Sequence, residues 1–158
     1  MNIKNVKPSK KSAYKQSYYS VQESTKYIGA YPIICRSSWE RKSCIYFDKN
    51  PDIVKWASEP FAVKYYNILD KKYHTYFPDF YIKVKKGNTY IEYVVEVKPK
   101  SHLTKPKKPK NKNRKALLNY RRALNTYVTN LCKIDALKKF AKSRNYKVLL
   151  ITEKSWFI

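Results

Sequence analysis

Asp79, Glu96 and Lys98 are the residues whose types and spacing point most directly to chemistry. They sit at the two ends of the stretch PDFYIKVKKGNTYIEYVVEVK, which runs from Pro78 to Lys98. Two apolar, aromatic-rich runs flank Gly87-Asn88, the signal of a two-residue hairpin loop. That loop sets Lys86 opposite Thr89. Val84 then faces Ile91, Ile82 faces Tyr93 and Phe80 faces Val95, so one face is wholly apolar. On the other face Lys83 meets Glu92, Tyr81 meets Val94 and Asp79 meets Glu96. Lys98, two residues beyond Glu96, projects from the same side. A slip of one residue would mix the faces, so the pattern supports the register.

Directly opposed side chains have Cβ atoms ~4.5–5.5 Å apart, and two carboxylates that close repel. The chain has 35 Lys and Arg but only 11 Asp and Glu. A sequence shaped for stability alone has little reason to oppose two of its few acids. A divalent cation between them resolves the conflict. The bland alternative is a polar fringe on a hairpin, with Pro78 marking a free edge or a bulge. It explains the turn and the apolar pairs but not the facing acids.

The net charge of +24 is far beyond what solubility needs and attracts polyanions, nucleic acid first. An anionic membrane is the weaker candidate: no apolar run approaches the ~18 residues of a span, and no lipidation signal or signal-peptide core is visible. The expectation is a soluble intracellular protein without a membrane partner. Cys35, Cys44 and Cys132 are odd in number and widely spaced, which favours reduced thiols. His74 and His102 are isolated.

A length of 158 residues favours one domain. Residues 1–30 read as a basic, mobile N-terminal arm, and 31–158 as the folded domain. Ser37 can cap a helix, with Glu40 as its capping-box partner, and Asn50-Pro51 ends that helix. Alternation of Phe61, Val63 and Tyr65 predicts a strand over 59–68, and the runs 73–84 and 90–98 follow as two more. Short turns join the three into an antiparallel meander. Residues 99–113 form an extended Lys/Pro loop; 98–115 hold nine Lys or Arg and three Pro. Leu117, Leu124 and Leu131 mark a helix over 112–143, either bent or restarting at Thr129-Asn130. YKVLLIT reads as a strand buried on both faces. The order helix, three-stranded meander, helix, strand is a mixed-sheet α/β fold.

Pro78-Asp79 followed by Glu96-Val97-Lys98, with Asp79 and Glu96 17 residues apart, resembles the PD-(D/E)-x-K nuclease motif, and the element order resembles that superfamily's restriction-endonuclease-like core. The surroundings YPIICRSSWERKSCIYFDKNPDIVKWASEPFAVKYY, YFPDFYI, VVEVKPK and VTNLCKIDALKKFAKSRNYKVLLITEKSW are similar to the head completion nucleases of contractile-tailed bacteriophages. TnsA-type transposon endonucleases share a shorter version. The resemblance covers roughly residues 28–156 and leaves out the arm and the Lys/Pro loop. It implies a metal-dependent DNA endonuclease that trims DNA protruding from a filled phage head before tail attachment. It also implies metal ligation by Asp79, Glu96 and the helix carboxylate Glu40, with Lys98 activating water and stabilising the phosphorane. Mg²⁺ is the implied cofactor, with Mn²⁺ able to replace it. Implied partners are DNA, read largely without sequence preference, and phage portal or neck proteins. The implied location is the host cytoplasm during assembly, or the virion. The alternatives are a non-catalytic DNA-binding head-completion protein and a TnsA-like transposon endonuclease.

Further candidates are less directly marked. Arg36 and Arg41 flank Glu40 and are placed to hold the DNA backbone, as are Lys105, Lys107, Lys108 and Lys110 of the basic loop. Asn130 and Lys133 lie one helical turn apart on the helix that, by the resemblance, faces the site, and are candidates to contact DNA phosphate. Glu59 is a candidate further metal or supporting group. Tyrosines such as Tyr18, Tyr19 and Tyr31 are candidates to stack on unpaired bases.

Overall fold

The computed structural model describes residues 16–23 and 25–155. In chain order the elements are β1 (Ser17–Tyr19), β2 (Ile33–Cys35), α1 (Ser38–Lys49), β3 (Ile53–Ser58), β4 (Val63–Asn67) and β5 (Lys72–Tyr76). They continue with β6 (Phe80–Lys86), β7 (Thr89–Val97), α2 (Lys100–Leu103), α3 (Arg114–Ser143) and β8 (Lys147–Ile151). The central sheet has the order β3-β6-β7-β8. β3, β6 and β7 are antiparallel, and β8 runs parallel to β7, so the sheet is mixed.

The β6–β7 hairpin has the expected register, from Lys86 opposite Thr89 to Phe80 opposite Val95. Gly87 takes φ +57° at the first central position of the turn, the sign a type II′ hairpin requires. Phe80, Ile82 and Val95 face α1 and pack with Cys44, Phe47 and Trp56. Val94, on the opposite face, packs with Leu137 of α3 and with Val63, Tyr65 and Tyr76 of the β4–β5 hairpin. The central strands are therefore covered on both sides.

The expected three-stranded meander is divided. β4 pairs with β5 in a two-stranded sheet of its own, and the strand beside β6 is β3. Pro78 is the physical reason. It is fully buried and lies inside the long second run. Having no N–H, it interrupts the ladder, so the run before it pairs with β4 and the run after it with β3.

Three further features follow from packing. α3 is one continuous helix, capped by Asn113, whose side chain accepts from the Ala116 N–H at 2.8 Å. It ends in a Schellman motif: Asn145 takes φ +58°, and the Tyr146 N–H reaches the Ala141 carbonyl at 2.8 Å. Its buried residues are Asn130, Leu137 and Ala141, whereas Leu117 and Leu131 of the seven-residue repeat are exposed. Among the described residues no strand pairs with the far side of β8, so it is an edge strand in which Ile151 is the buried residue.

Part of the expected arm, 1–30, falls among the described residues, and that part is folded against the domain. Residues 1–15 and Ser24 lie outside the described residues. β1 pairs with β2, and Tyr19 and Tyr27 are buried in the core. Buried Asp48 fastens this segment: it accepts from the Tyr19 hydroxyl at 2.8 Å, the Gln22 N–H at 2.8 Å and the Trp56 indole at 3.3 Å. Among the described residues no helix is long and apolar enough to cross a membrane.

Candidate active site

The site lies where β6 begins and β7 ends. One step beyond the Phe80–Val95 pair, the register brings Asp79 beside Glu96. Asp79 Oδ2 accepts the Val97 N–H at 2.7 Å, which ties the carboxylate to the far strand. The Lys98 N–H donates to the Ile151 carbonyl at 2.9 Å, so β8 holds the backbone that carries the lysine. Lys98 Nζ meets Glu96 Oε1 at 2.9 Å. Glu96 is 4% exposed, and its other oxygen, Oε2, is buried without a hydrogen-bond partner among the described residues.

Such an arrangement is costly on its own. A buried polar oxygen without a donor loses its hydration without a compensating hydrogen bond. Burial, and next the charge of Glu96, push the Asp79 carboxyl well above its ordinary range against the pull of Lys98. Burial presses Lys98 downward, but Asp79, Glu96 and Glu40 outweigh it and raise the ammonium above its usual value.

Glu40 stands at the start of α1. Its Oε2 accepts the Arg36 N–H at 2.7 Å, and its Oε1 accepts from the Ser37 hydroxyl at 2.9 Å. Ser37 in turn accepts the Glu40 N–H at 3.2 Å, so the capping role read from the sequence is present. Burial raises the Glu40 carboxyl, while these donors, Lys98 and Arg36 oppose the rise. Glu40 thus shares the electrostatic field of Asp79 and Lys98, yet both its oxygens serve the cap. Among the described residues no three His, Cys, Asp or Glu side chains gather as a metal cage. The residues fit a divalent cation in another way: a close acid pair with an orphaned oxygen, the one or two carboxylates that Mg²⁺ uses.

Arg36 is committed within the protein. Its Nε meets Glu59 Oε1 at 3.1 Å and its Nη2 meets Oε2 at 3.4 Å. The Glu59 N–H donates to the Asp79 carbonyl at 2.9 Å, and Glu59 holds φ +47°, a left-handed conformation unusual outside glycine. The Arg36–Glu59 pair therefore links the segment that holds Glu40 to the segment that holds Asp79. Sequence reasoning marks both residues singly but not their pairing, because no spacing rule connects positions 36 and 59. Arg41 lies elsewhere, with its guanidinium on the Tyr18 carbonyl at 3.0 Å, where it secures β1.

α3 approaches the site from the sheet's other face. The Asn130 amide donates to the His102 carbonyl at 3.2 Å, and the Tyr76 hydroxyl donates to the Lys133 carbonyl at 3.0 Å. The Lys133 ammonium is lowered, first by burial and then by Lys98, while Glu96 and Asp79 counter. Lys105, Lys107, Lys108 and Lys110 are exposed on the connection between α2 and α3. Tyr76 does not stand out in the sequence. Its place two residues before Pro78 is the available signal, but the alternation of β5 marks it only as a buried tyrosine.

This sheet end joins two acids and a lysine, with a helix carboxylate in the same electrostatic field. The family of TnsA-like endonuclease N-terminal domains matches residues 50–153, and the chain belongs to it. It is also 31% identical over 121 residues to the head completion nuclease of Enterobacteria phage T4, covering 77% of this chain and 79% of that protein.

Proposed function

We propose that the protein is a divalent-metal-dependent DNA endonuclease of a phage particle, acting on DNA that protrudes from the filled head before tail attachment. The observation that carries the catalytic reading is the Asp79–Glu96 pair with the orphaned Glu96 Oε2 and Lys98 at 2.9 Å. The relative named a head completion nuclease supports the setting. Asp79 and Glu96 would hold the cation, Mg²⁺ or Mn²⁺, with Glu40 in the same electrostatic field. When bound, the cation neutralises phosphate charge and lowers the pKa of a coordinated water. Lys98 donates to the phosphate oxygen on which charge grows. The Val97 N–H fixes the rotamer of Asp79, and the Arg36–Glu59 pair fixes the two segments that carry the acids. The exposed lysines of the α2–α3 connection hold the DNA backbone without reading bases. Action in the host cytoplasm during assembly, next to portal or neck proteins, belongs to the same proposal.

The test is incubation of supercoiled and linear DNA with the protein in Mg²⁺, Mn²⁺ or EDTA. Nicking of the supercoiled form and cutting of the linear form, both stopped by EDTA, are expected. DNA binding with no cleavage under any metal would leave a structural head-completion role. The match to the TnsA-like family favours a transposon endonuclease as a second reading. Neighbouring genes for a transposase rather than for head and tail proteins would select it.

A further inference from the structure

Lys133 is the cation near the site that the proposed chemistry does not use. Its Nζ lies 5.6 Å from the Tyr65 ring centroid and 5.4 Å from that of Tyr76, within cation–π range of both. Tyr65 and Tyr76 are themselves buried in the β4–β5 hairpin. The Tyr76 hydroxyl also holds the Lys133 carbonyl, so backbone and ammonium are fixed by one side chain. Three residues earlier, Asn130 fastens α3 to the segment just after Lys98. These two anchors, three residues before Asp79 and four after Lys98, seat Lys133 at the sheet end that carries the acid pair, where it feels the charges of Lys98, Glu96 and Asp79. Among the described residues it makes no ion pair with a carboxylate, although Lys98 is paired with Glu96.

Packing does not account for this lysine. Against two tyrosine rings a methionine or leucine fills the same space without bringing a second ammonium towards Lys98. Two like charges drawn together at a half-buried site are relieved by an anion. We infer that Lys133, seated on the Tyr65 and Tyr76 rings, binds a DNA backbone phosphate beside the bond that is cut. This rests on the nuclease reading and adds to it a second phosphate contact, supplied by α3. Tyr65 and Tyr76 act as positioning residues for that contact.

The experiment measures binding of a short labelled duplex to the full chain bearing Asp79→Ala, without divalent cation, over a range of salt. Adding Lys133→Met is expected to weaken binding about tenfold, the worth of a charged hydrogen bond, and to reduce the slope of log K against log salt by about 0.9, one phosphate contact. Lys133→Arg is expected to keep both. Thermal melting follows each variant, and Lys133→Gln replaces the methionine variant if that one fails to fold. Unchanged affinity and slope in a folded variant overturn the inference, as does weaker binding with an unchanged slope and a lower melting temperature. A parent that binds no DNA overturns the nuclease reading as well, so the two failures are told apart.

Discussion

Asp79 keeps its proton well above the ordinary carboxylate range, first through burial and then through Glu96 beside it. A raised folded-state pKa adds stability below the unfolded value, and that stability is lost as pH rises through the folded value. Asp79→Asn removes the loss. In EDTA the variant is expected to gain on wild type as pH rises from about 4, and to melt higher at neutral pH while cleavage disappears. Identical melting profiles across that range would refute the strain assigned to the acid pair. Glu40 invites a different separation. Gln preserves capping geometry, so Glu40→Gln is expected to cost under about 1 kcal/mol of stability yet reduce cleavage at least tenfold. Loss of stability with activity intact would reduce Glu40 to a cap. Asp79, Glu96 and Lys98 were legible because strand pairing is arithmetic: a fixed turn gives every opposed pair. The Arg36–Glu59 link was not, since it joins a helix cap to a strand end across a contact that only the fold creates.

The hairpin that presents the site depends on its turn. Gly87 has φ +57°, and a Cβ built there meets nothing within 4 Å, so the constraint is backbone conformation alone. Gly87→Ala is expected to cost about 1 kcal/mol and leave the cleavage rate of the folded protein unchanged. Urea denaturation beside single-turnover rates checks both halves of that statement. Asp48 shows what α1 does besides carrying Glu40. Its three donors come from β1, the segment after it and β3. Asp48→Ala leaves them unsatisfied in the core and is expected to cost about 2–4 kcal/mol, read by the same denaturation. The element order was recovered from periodicity and capping signals. Two facts were hidden. Alternation persists through Pro78, which masks the change of pairing partner from β4 to β3. The seven-residue leucine repeat of α3 suggests a buried stripe, but the helix turns Asn130, Leu137 and Ala141 inward instead, because β4 and β7 meet it there.

At the scale of the whole molecule, +24 charges repel one another, and a polyanion relieves them. DNA affinity is therefore expected to fall steeply with salt and to vary little with sequence. Replacing Lys105, Lys107, Lys108 and Lys110 by serine should weaken binding to all duplexes alike and lower the salt slope by about 0.9 for each phosphate that is no longer neutralised. A change confined to one sequence would contradict that picture. On the proposed reading the charge field gathers DNA, and the small acid patch where β6 begins and β7 ends decides whether it is cut. Single-turnover cleavage of a labelled duplex with saturating protein and Mg²⁺ measures that decision directly. Wild type is expected to cut. Asp79→Ala and Lys98→Ala are expected to bind the duplex and cut at least about a hundredfold more slowly. Cleavage by either variant at the wild-type rate would place the active site elsewhere.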